Sequence, residues 1–241
     1  MVNNFGSRIL CKGRTGDDVR VLQTLLNHLP GTITGPDIVV DGDFGSQTQA
    51  AVRKFQTYFG LTADGQVGRN TFLYLGQATG TAASGRVFGS RHLRIGTSGR
   101  DVWILQNRLA STARDYAQAL GVPADSIFGR RTQAAVMLFQ GDFELTKDGV
   151  VGNRTLYQLY LHTFMGGRVL RSDSSAQNQG FDVYFLQKKL TGLGYSPGAL
   201  DGKFGPRTEA AVRSFQKAVN IAVDGEVGPV TFYHLGLRTT N

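Results

Sequence analysis

The chain has little cysteine, histidine, proline or tryptophan. Its 241 residues include one Cys, four His, six Pro and one Trp. A lone Cys11 excludes an intramolecular disulfide framework and a cysteine-rich metal site; it reads as a buried or idle thiol. His28, His92, His162 and His234 are scattered, with no H-x-x-x-H or H-E-x-x-H spacing, so no metal or other cofactor is expected. No apolar run approaches the roughly 18–20 residues of a membrane span, so no membrane partner is expected. The first residues, MVNNFGSRILCKGRTGDD, lack the apolar centre of a signal peptide. The expectation is therefore that a leader was removed, or that the protein leaves its cell by another route. Lys/Arg-rich tracts are missing too. The net charge of +8 is spread out: segments 1–80, 81–160 and 161–241 carry 7 basic against 6 acidic residues, 10 against 6, and 9 against 6. No helix carries a basic stripe with interleaved aromatics, so no nucleic-acid partner is expected.

Glycine is plentiful, at 32 residues, and it recurs in a pattern. The stretch DGDFGSQTQAAVRKFQ from Asp41 returns as DSIFGRRTQAAVMLFQ from Asp125 and as DGKFGPRTEAAVRSFQ from Asp201. Each is preceded by GDDVRVLQTLL from Gly16, GRDVWILQNRL from Gly99 or GFDVYFLQKKL from Gly180. Each is followed by DGQVGRNTFLYL from Asp64, DGVVGNRTLYQL from Asp148 or DGEVGPVTFYHL from Asp224. Self-similarity at this period means three copies of one small unit. Boundaries are expected at 1–80, 81–165 and 166–241.

Apolar spacing predicts three helices per unit. Val19, Leu22, Leu25 and Leu26 share a face, as do Val102, Leu105 and Leu109, and Val183, Leu186 and Leu190. Thr15 and Ser98 stand three residues before Asp18 and Asp101, the spacing of a capping box with Asp in place of Glu; Gln179 makes the third cap weaker. Pro206 and Pro229 favour the first helical position, which puts N-caps at Gly205 and Gly228 and, by analogy, at Gly45, Gly129, Gly68 and Gly152. Ala51, Val52, Phe55 and Phe59 then form the inner face of the second helix. Their counterparts are Ala135, Val136, Phe139 and Phe143, and Ala211, Val212, Phe215 and Val219. Between the first two helices the copies differ, and in copy two the segment ASTARDYAQALGVPA could extend the helix. The segments FGSRIL from Phe5, FGSRHL from Phe88 and GGRVL from Gly166 form a further echo. They read as strands that pair with one another or brace the units, or as a duplicated linker.

The ordered motifs G-x-D-V-x-x-L-Q, D-G-x-F-G-x-x-T-x-x-A-V-x-x-F-Q and D-G-x-V-G-x-x-T resemble the three-helix peptidoglycan-binding domain 1 family over roughly residues 13–76, 96–160 and 177–237. The resemblance implies a mainly α fold, three tandem small three-helix domains with short inter-domain β segments. It implies non-covalent binding of bacterial peptidoglycan (glycan strand or stem peptide), as a targeting module, and a cell-wall or extracellular location. An anionic wall also suits the positive charge. Copy two departs from the pattern: Ser126 stands where the turn has Gly, which puts its turn geometry in question because Gly tolerates φ > 0 at little cost.

No active site is expected. Cys11 has no neighbouring His, and its counterparts are Arg94 and Arg171. Most acids fall in caps and Asp-Gly turns, and the repeats use up most of the chain. Candidate binding residues cluster at the turns and the helix starts that follow: Asp41, Phe44, Asp64, Arg69 and Asn70; Asp125, Phe128, Asp148, Asn153 and Arg154; Asp201, Phe204 and Asp224. Two helix N-termini near one end would offer N–H groups to a carboxylate such as a stem-peptide end. The competing reading is that the apolar members are core and the glycines caps. Gln56, Gln140 and Gln216 either tie down loop backbone or contact ligand. The expected function is non-catalytic, multivalent wall binding, with avidity gained where linkers let the units reach neighbouring strands. The rivals are a structural subunit of a phage, spore or secretion assembly that uses the repeats for packing, and the targeting part of a lysin without its catalytic domain.

Overall fold

The computed structural model describes residues 5–76, 88–172 and 178–239. The expected boundary at 80/81 lies outside the described residues. Unit 1 contains α1 (Asp17–Asn27), α2 (Gly31–Thr34), α3 (Ser46–Tyr58) and α4 (Arg69–Tyr74). Unit 2 contains α5 (Arg100–Thr112), α6 (Arg114–Leu120), α7 (Arg130–Asp142) and α8 (Asn153–His162). Unit 3 contains α9 (Phe181–Gly192), α10 (Pro206–Ala218) and α11 (Pro229–Leu237). The chain is therefore three tandem helical units, as the repeats require. The variable insert adds a short helix in units 1 and 2. In unit 2 it does not extend α5, because Ala113 adopts extended backbone (φ −137°, ψ 155°) and breaks the helix before α6.

The inner faces fall as their spacing requires. Val19, Leu22, Leu25, Leu26, Ala51, Val52, Phe55 and Phe59 are buried, and so are the matching aliphatic and Phe positions of the other units, except that Phe143 and Val219 are half-buried. Gly45, Gly129, Gly205, Gly68, Gly152 and Gly228 are the N-caps of α3, α7, α10, α4, α8 and α11, with Pro206 and Pro229 in the first turn.

The start of each first helix differs from the capping box that the sequence suggests. The N-caps are Gly16, Gly99 and Gly180, at φ 134°, 127° and 141°, and no side chain caps these ends. Asp18 turns inward instead and receives two hydrogen bonds from Arg8, at 2.7 and 3.0 Å. Arg91 grips Asp101 with the same two distances, and Arg168 grips Asp182 at 2.8 Å twice. Each Arg also donates to a backbone carbonyl just before the helix: Thr15, Ser98 or Gln179. A bidentate guanidinium–carboxylate pair is strong and directional, and an acid in the first turn suits the helix dipole. These arginines belong to the FGSR and GGR echoes, whose place is thereby set.

Those segments do not pair with one another. Leu10 bridges Val67, Leu93 bridges Val151 and Leu170 bridges Val227, each within its own unit and antiparallel. The β segments therefore brace units from inside. Residues 10–16 hold both turns of unit 1: Leu10 exchanges hydrogen bonds with Val67, and Gly13 and Gly16 donate to Phe44 and Gly42.

The units also pack on each other. α11 lies along α5 and α6, and α1 against α8. Phe5 of unit 1 stacks edge-on to Tyr160 of unit 2. Tyr58 of unit 1 donates to the Asp201 carbonyl of unit 3 at 3.1 Å. At the centre Arg108 is 1% exposed. It donates to Thr163 O at 2.5 Å and reaches toward Gly76 O at 3.5 Å, with its guanidinium near the Phe88 and Tyr160 rings. Burial pushes its pKa down to about 10, so it stays charged at neutral pH. Lys189 stands at the matching position of unit 3 and donates to the Ser111 and Thr112 carbonyls at the end of α5. Leu25, the third member of this set, is plain core. One repeat position thus serves packing inside unit 1 and docking between units elsewhere.

Candidate functional site

Each unit presents two Asp-Gly turns, and each turn is locked by a buried glutamine from the preceding helix. In unit 1 Gln23 donates to Asp41 Oδ1 (2.8 Å), Asp43 O (3.1 Å) and Thr48 Oγ1 (3.2 Å), and its Oε1 accepts from Gly42 N (2.8 Å). Gln56 repeats this at the second turn with Asp64, Gln66, Thr71 and Gly65. Gln106 and Gln140 do so in unit 2, Gln187 and Gln216 in unit 3. Gln56, Gln140 and Gln216 therefore tie down loop backbone. Gln23, Gln106 and Gln187 carry the same task, which the sequence reading missed. Their recurrence after Leu in every copy was the available signal.

The aspartates close the same ring. Asp41 Oδ1 also accepts from Asp43 N, and Asp64, Asp125, Asp148, Asp201 and Asp224 each accept from the backbone N–H two residues on. Those hydrogen bonds stabilise the ionised form. Asp41 is held below the usual carboxylate range first by the Asp43 N–H and then by Gln23. Asp64 is lowered first by the Gln66 N–H, and Asp148 by the Val150 N–H and then Gln140. Ser126 keeps the turn shape despite its Cβ, at φ 68° beside 81° for Gly42 and 70° for Gly202. The turn of copy two is intact, with a serine in the left-handed region.

The candidate residues divide by placement. Phe44, Phe128 and Phe204 are 1%, 1% and 4% exposed and pack in the cores, so a ligand cannot reach them without unfolding the turn. The six aspartates have one oxygen committed to the turn. Arg69, Asn70, Asn153 and Arg154 are exposed at the starts of α4 and α8. Unit 3 has Pro229 and Val230 there. Its first turn is partly covered by unit 1: Phe59 lies against Gly202, and Lys203 sits 5.0 Å over the Tyr58 ring.

A cleft of about 380 Å³ opens at the second turn of unit 2. Asp148, Asn153 and Arg154 line it, together with His92 and Glu144, which the sequence reading did not single out. A second cleft of about 440 Å³ lies at the first turn of unit 3, against Asp201, Lys203 and Arg207. Among the described residues no three His, Cys, Asp or Glu side chains group closely enough to hold a metal ion. No described helix is long and apolar enough to cross a membrane.

Residues 15–75, 98–159 and 179–235 each match the family model described as putative peptidoglycan binding domain. These segments make up well over half of the chain, which belongs to this family. Among curated proteins the chain is similar to N-acetylmuramoyl-L-alanine amidase CwlM of Mycobacterium tuberculosis, 36% identical over 110 residues, covering 45% of this chain and 27% of that protein. It is 46% identical over 66 residues to the zinc D-Ala-D-Ala carboxypeptidase of Streptomyces albus G, covering 27% of this chain and 25% of the relative. A probable N-acetylmuramoyl-L-alanine amidase of Bacillus licheniformis is 31% identical over 159 residues, 61% of this chain and 43% of its own. The chain thus spans less than half the length of each of these relatives. The family match supports peptidoglycan as the partner, and these relatives fit an association with the cell wall.

Proposed function

We propose that the chain is a non-catalytic wall anchor that binds peptidoglycan at the rims of its Asp-Gly turns. The observation that carries this reading is the pairing of a locked turn with exposed donors: Arg69 and Asn70 beside Asp64, and Asn153 and Arg154 beside Asp148. The glutamine lock holds the rim in shape before ligand arrives, which lowers the ordering cost of binding. The three units act as one packed body, so any multivalent grip has a fixed spacing set by contacts such as Tyr58–Asp201. This replaces the flexible reach expected of linkers. The anchor reading places the protein at the wall, outside the cell.

The test is co-sedimentation of the full chain with purified, protein-free walls. Retention is expected, and the combined variant Arg69→Ala, Asn70→Ala, Asn153→Ala, Arg154→Ala is expected to stay in the supernatant while keeping its thermal transition. Equal retention of that variant defeats the site assignment. Steady clearing of a wall suspension would overturn the non-catalytic reading.

A second reading is the targeting part of a wall hydrolase. It is favoured because the matched amidases extend well beyond the shared segment, which fills 27% and 43% of their lengths. Fusion or mixing with an amidase domain is then expected to speed wall clearing, and the four-residue variant to remove that gain.

A further inference from the structure

The rim of the second turn has a different chemistry in each unit, and in unit 2 it borders a cleft. In unit 2, His92, Glu144, Asn153 and Arg154 line it. The matching residues in unit 1 are Ile9, Gly60, Arg69 and Asn70, and in unit 3 Val169, Asn220, Pro229 and Val230. Unit 1 keeps a cation and an amide, but its acid there is the turn aspartate Asp64, whose Oδ1 is held by Gln56 and the Gln66 N–H. Unit 3 has Pro229 and Val230 in place of the donors; its Asp224 is held in the turn, and its Glu226 is engaged with Arg171 at 3.6 Å. Only unit 2 adds to the turn aspartate a second acid, Glu144, together with a cation, Arg154, that the fold leaves uncommitted.

Those two charges are not used by the fold. Among the described residues Glu144 and Arg154 make no side-chain hydrogen bond and no ion pair, with each other or with a neighbour, although both line the cleft. The wall of the cleft between them is rigid, because Gln140 fixes Asp148 and Gly149 at 2.7 and 2.9 Å. Glu144 also sits at φ 54°, where the matching residues are Gly60 (φ 68°) and Asn220 (φ 58°), the residue types that tolerate that backbone. The fold gains nothing visible from a glutamate here.

We propose that the unit 2 cleft recognises a peptide-stem end that carries both a carboxylate and an ammonium, and that the other two units do not. Arg154, with the Asn153 amide and His92, receives the carboxylate; Glu144 receives the ammonium. A diamino acid whose side chain ends in a free amino-acid zwitterion has this chemistry, whereas a lysine stem offers only the ammonium. The inference rests on the wall-binding reading above and assigns its chemical selectivity to one unit of three.

The experiment titrates the full chain with three soluble muropeptides and follows backbone amide resonances. One stem holds a diaminopimelate with free side-chain carboxylate and amine, one has that carboxylate amidated, and one has lysine. Each analogue leaves a charge of the cleft unpaired, so the free zwitterion is expected to bind about tenfold or more tightly than either. The shifts are expected at residues 140–155 and not at 60–70. Arg154→Gln is expected to abolish the preference for the free carboxylate. Glu144→Gly, which restores the glycine found in unit 1, is expected to keep or raise the melting temperature and to weaken binding of all three stems, since each carries the ammonium. Equal affinity for all three stems, or shifts centred on unit 1, overturns this inference. If the chain still sediments with walls, the wall-binding reading survives; if it does not, that reading fails first.

Discussion

Gly236 of α11 lies flush against the backbone carbonyl of Ala110 in α5, so that a Cβ at position 236 would overlap that oxygen. The contact joins unit 3 to unit 2 through backbone alone. Its counterpart in unit 2 is Tyr160, a buried ring that touches Phe5 and Phe88, so the same repeat position docks units in two different ways.

Gly236→Ala is expected to loosen that dock. Alanine favours a helix more than glycine does, by about 0.5–1 kcal/mol, so any loss must come from the clash. Overpacking typically costs about 1–3 kcal/mol, which in a chain of this size lowers the melting temperature by roughly 2–12 °C. Gly192→Ala is the control, because a Cβ there meets nothing within 4 Å. Differential scanning calorimetry should show the first variant destabilised and the second unchanged or slightly improved. A stable Gly236→Ala chain would mean that the units do not pack as described.

The glutamine locks carry a second prediction. Gln106 donates to Asp125, Ile127 O and Thr132, and accepts from the Asp125 and Ser126 N–H groups. Gln106→Ala removes all five of these hydrogen bonds and opens a gap beside buried Thr132, with each buried group left unsatisfied costing about 1–3 kcal/mol. Urea denaturation is expected to show a loss of about 2–4 kcal/mol, partly offset by water entering the gap. A loss under 0.5 kcal/mol would show that the lock is incidental.

Ser126 makes the opposite prediction. It holds φ 68° where units 1 and 3 have glycine. A non-glycine residue in the left-handed region costs roughly 1–2 kcal/mol, so Ser126→Gly is expected to raise stability by about 0.5–1 kcal/mol after the extra freedom of an unfolded glycine is subtracted. An unchanged or lower melting temperature would mean that the serine hydroxyl compensates for the strain.

Acid should act in two stages. Asp64 and Asp148 have folded-state pKa values below their unfolded ones, so their stabilisation is complete above about pH 4 and is lost as pH falls through the folded values. His162 is also lowered, first by burial and then by the like charge of His28. The folded chain therefore favours neutral His162, whose contribution is complete above about pH 6.5 and declines as pH falls from there. The melting temperature is expected to fall gently below pH 6.5 and steeply below pH 4. In the double variant Asp64→Asn, Asp148→Asn the lower branch should flatten. Parallel curves for the two proteins below pH 4 would refute the assignment to these aspartates.

The local architecture was open to reading from the chain alone. A helix start is a short-range event, so Pro206 and Pro229 marked the caps in their own unit and, through the repeat, in the other two. The inner faces followed from 3.6-residue spacing, and the family followed from three ordered motifs. What no local pattern held was the partner of a side chain across the fold. Asp18 carried the spacing of a capping box, but Arg8 outcompeted the backbone for its carboxylate because a bidentate ion pair is stronger than a neutral cap. Phe44 appeared at the turn and went into the core because its ring loses more by exposure than the turn gains. Leu25, Arg108 and Lys189 look like one degenerate repeat position. Only the tertiary packing separates them, because a cation can sit at the junction of units where backbone carbonyls such as Thr163 O and Ser111 O converge on it. In the same way, sequence determined that there are two turns per unit. The fold decided that the first turn of unit 3 is partly covered by unit 1, while the second turn of unit 2 opens into a cleft lined in part by Glu144 and Arg154.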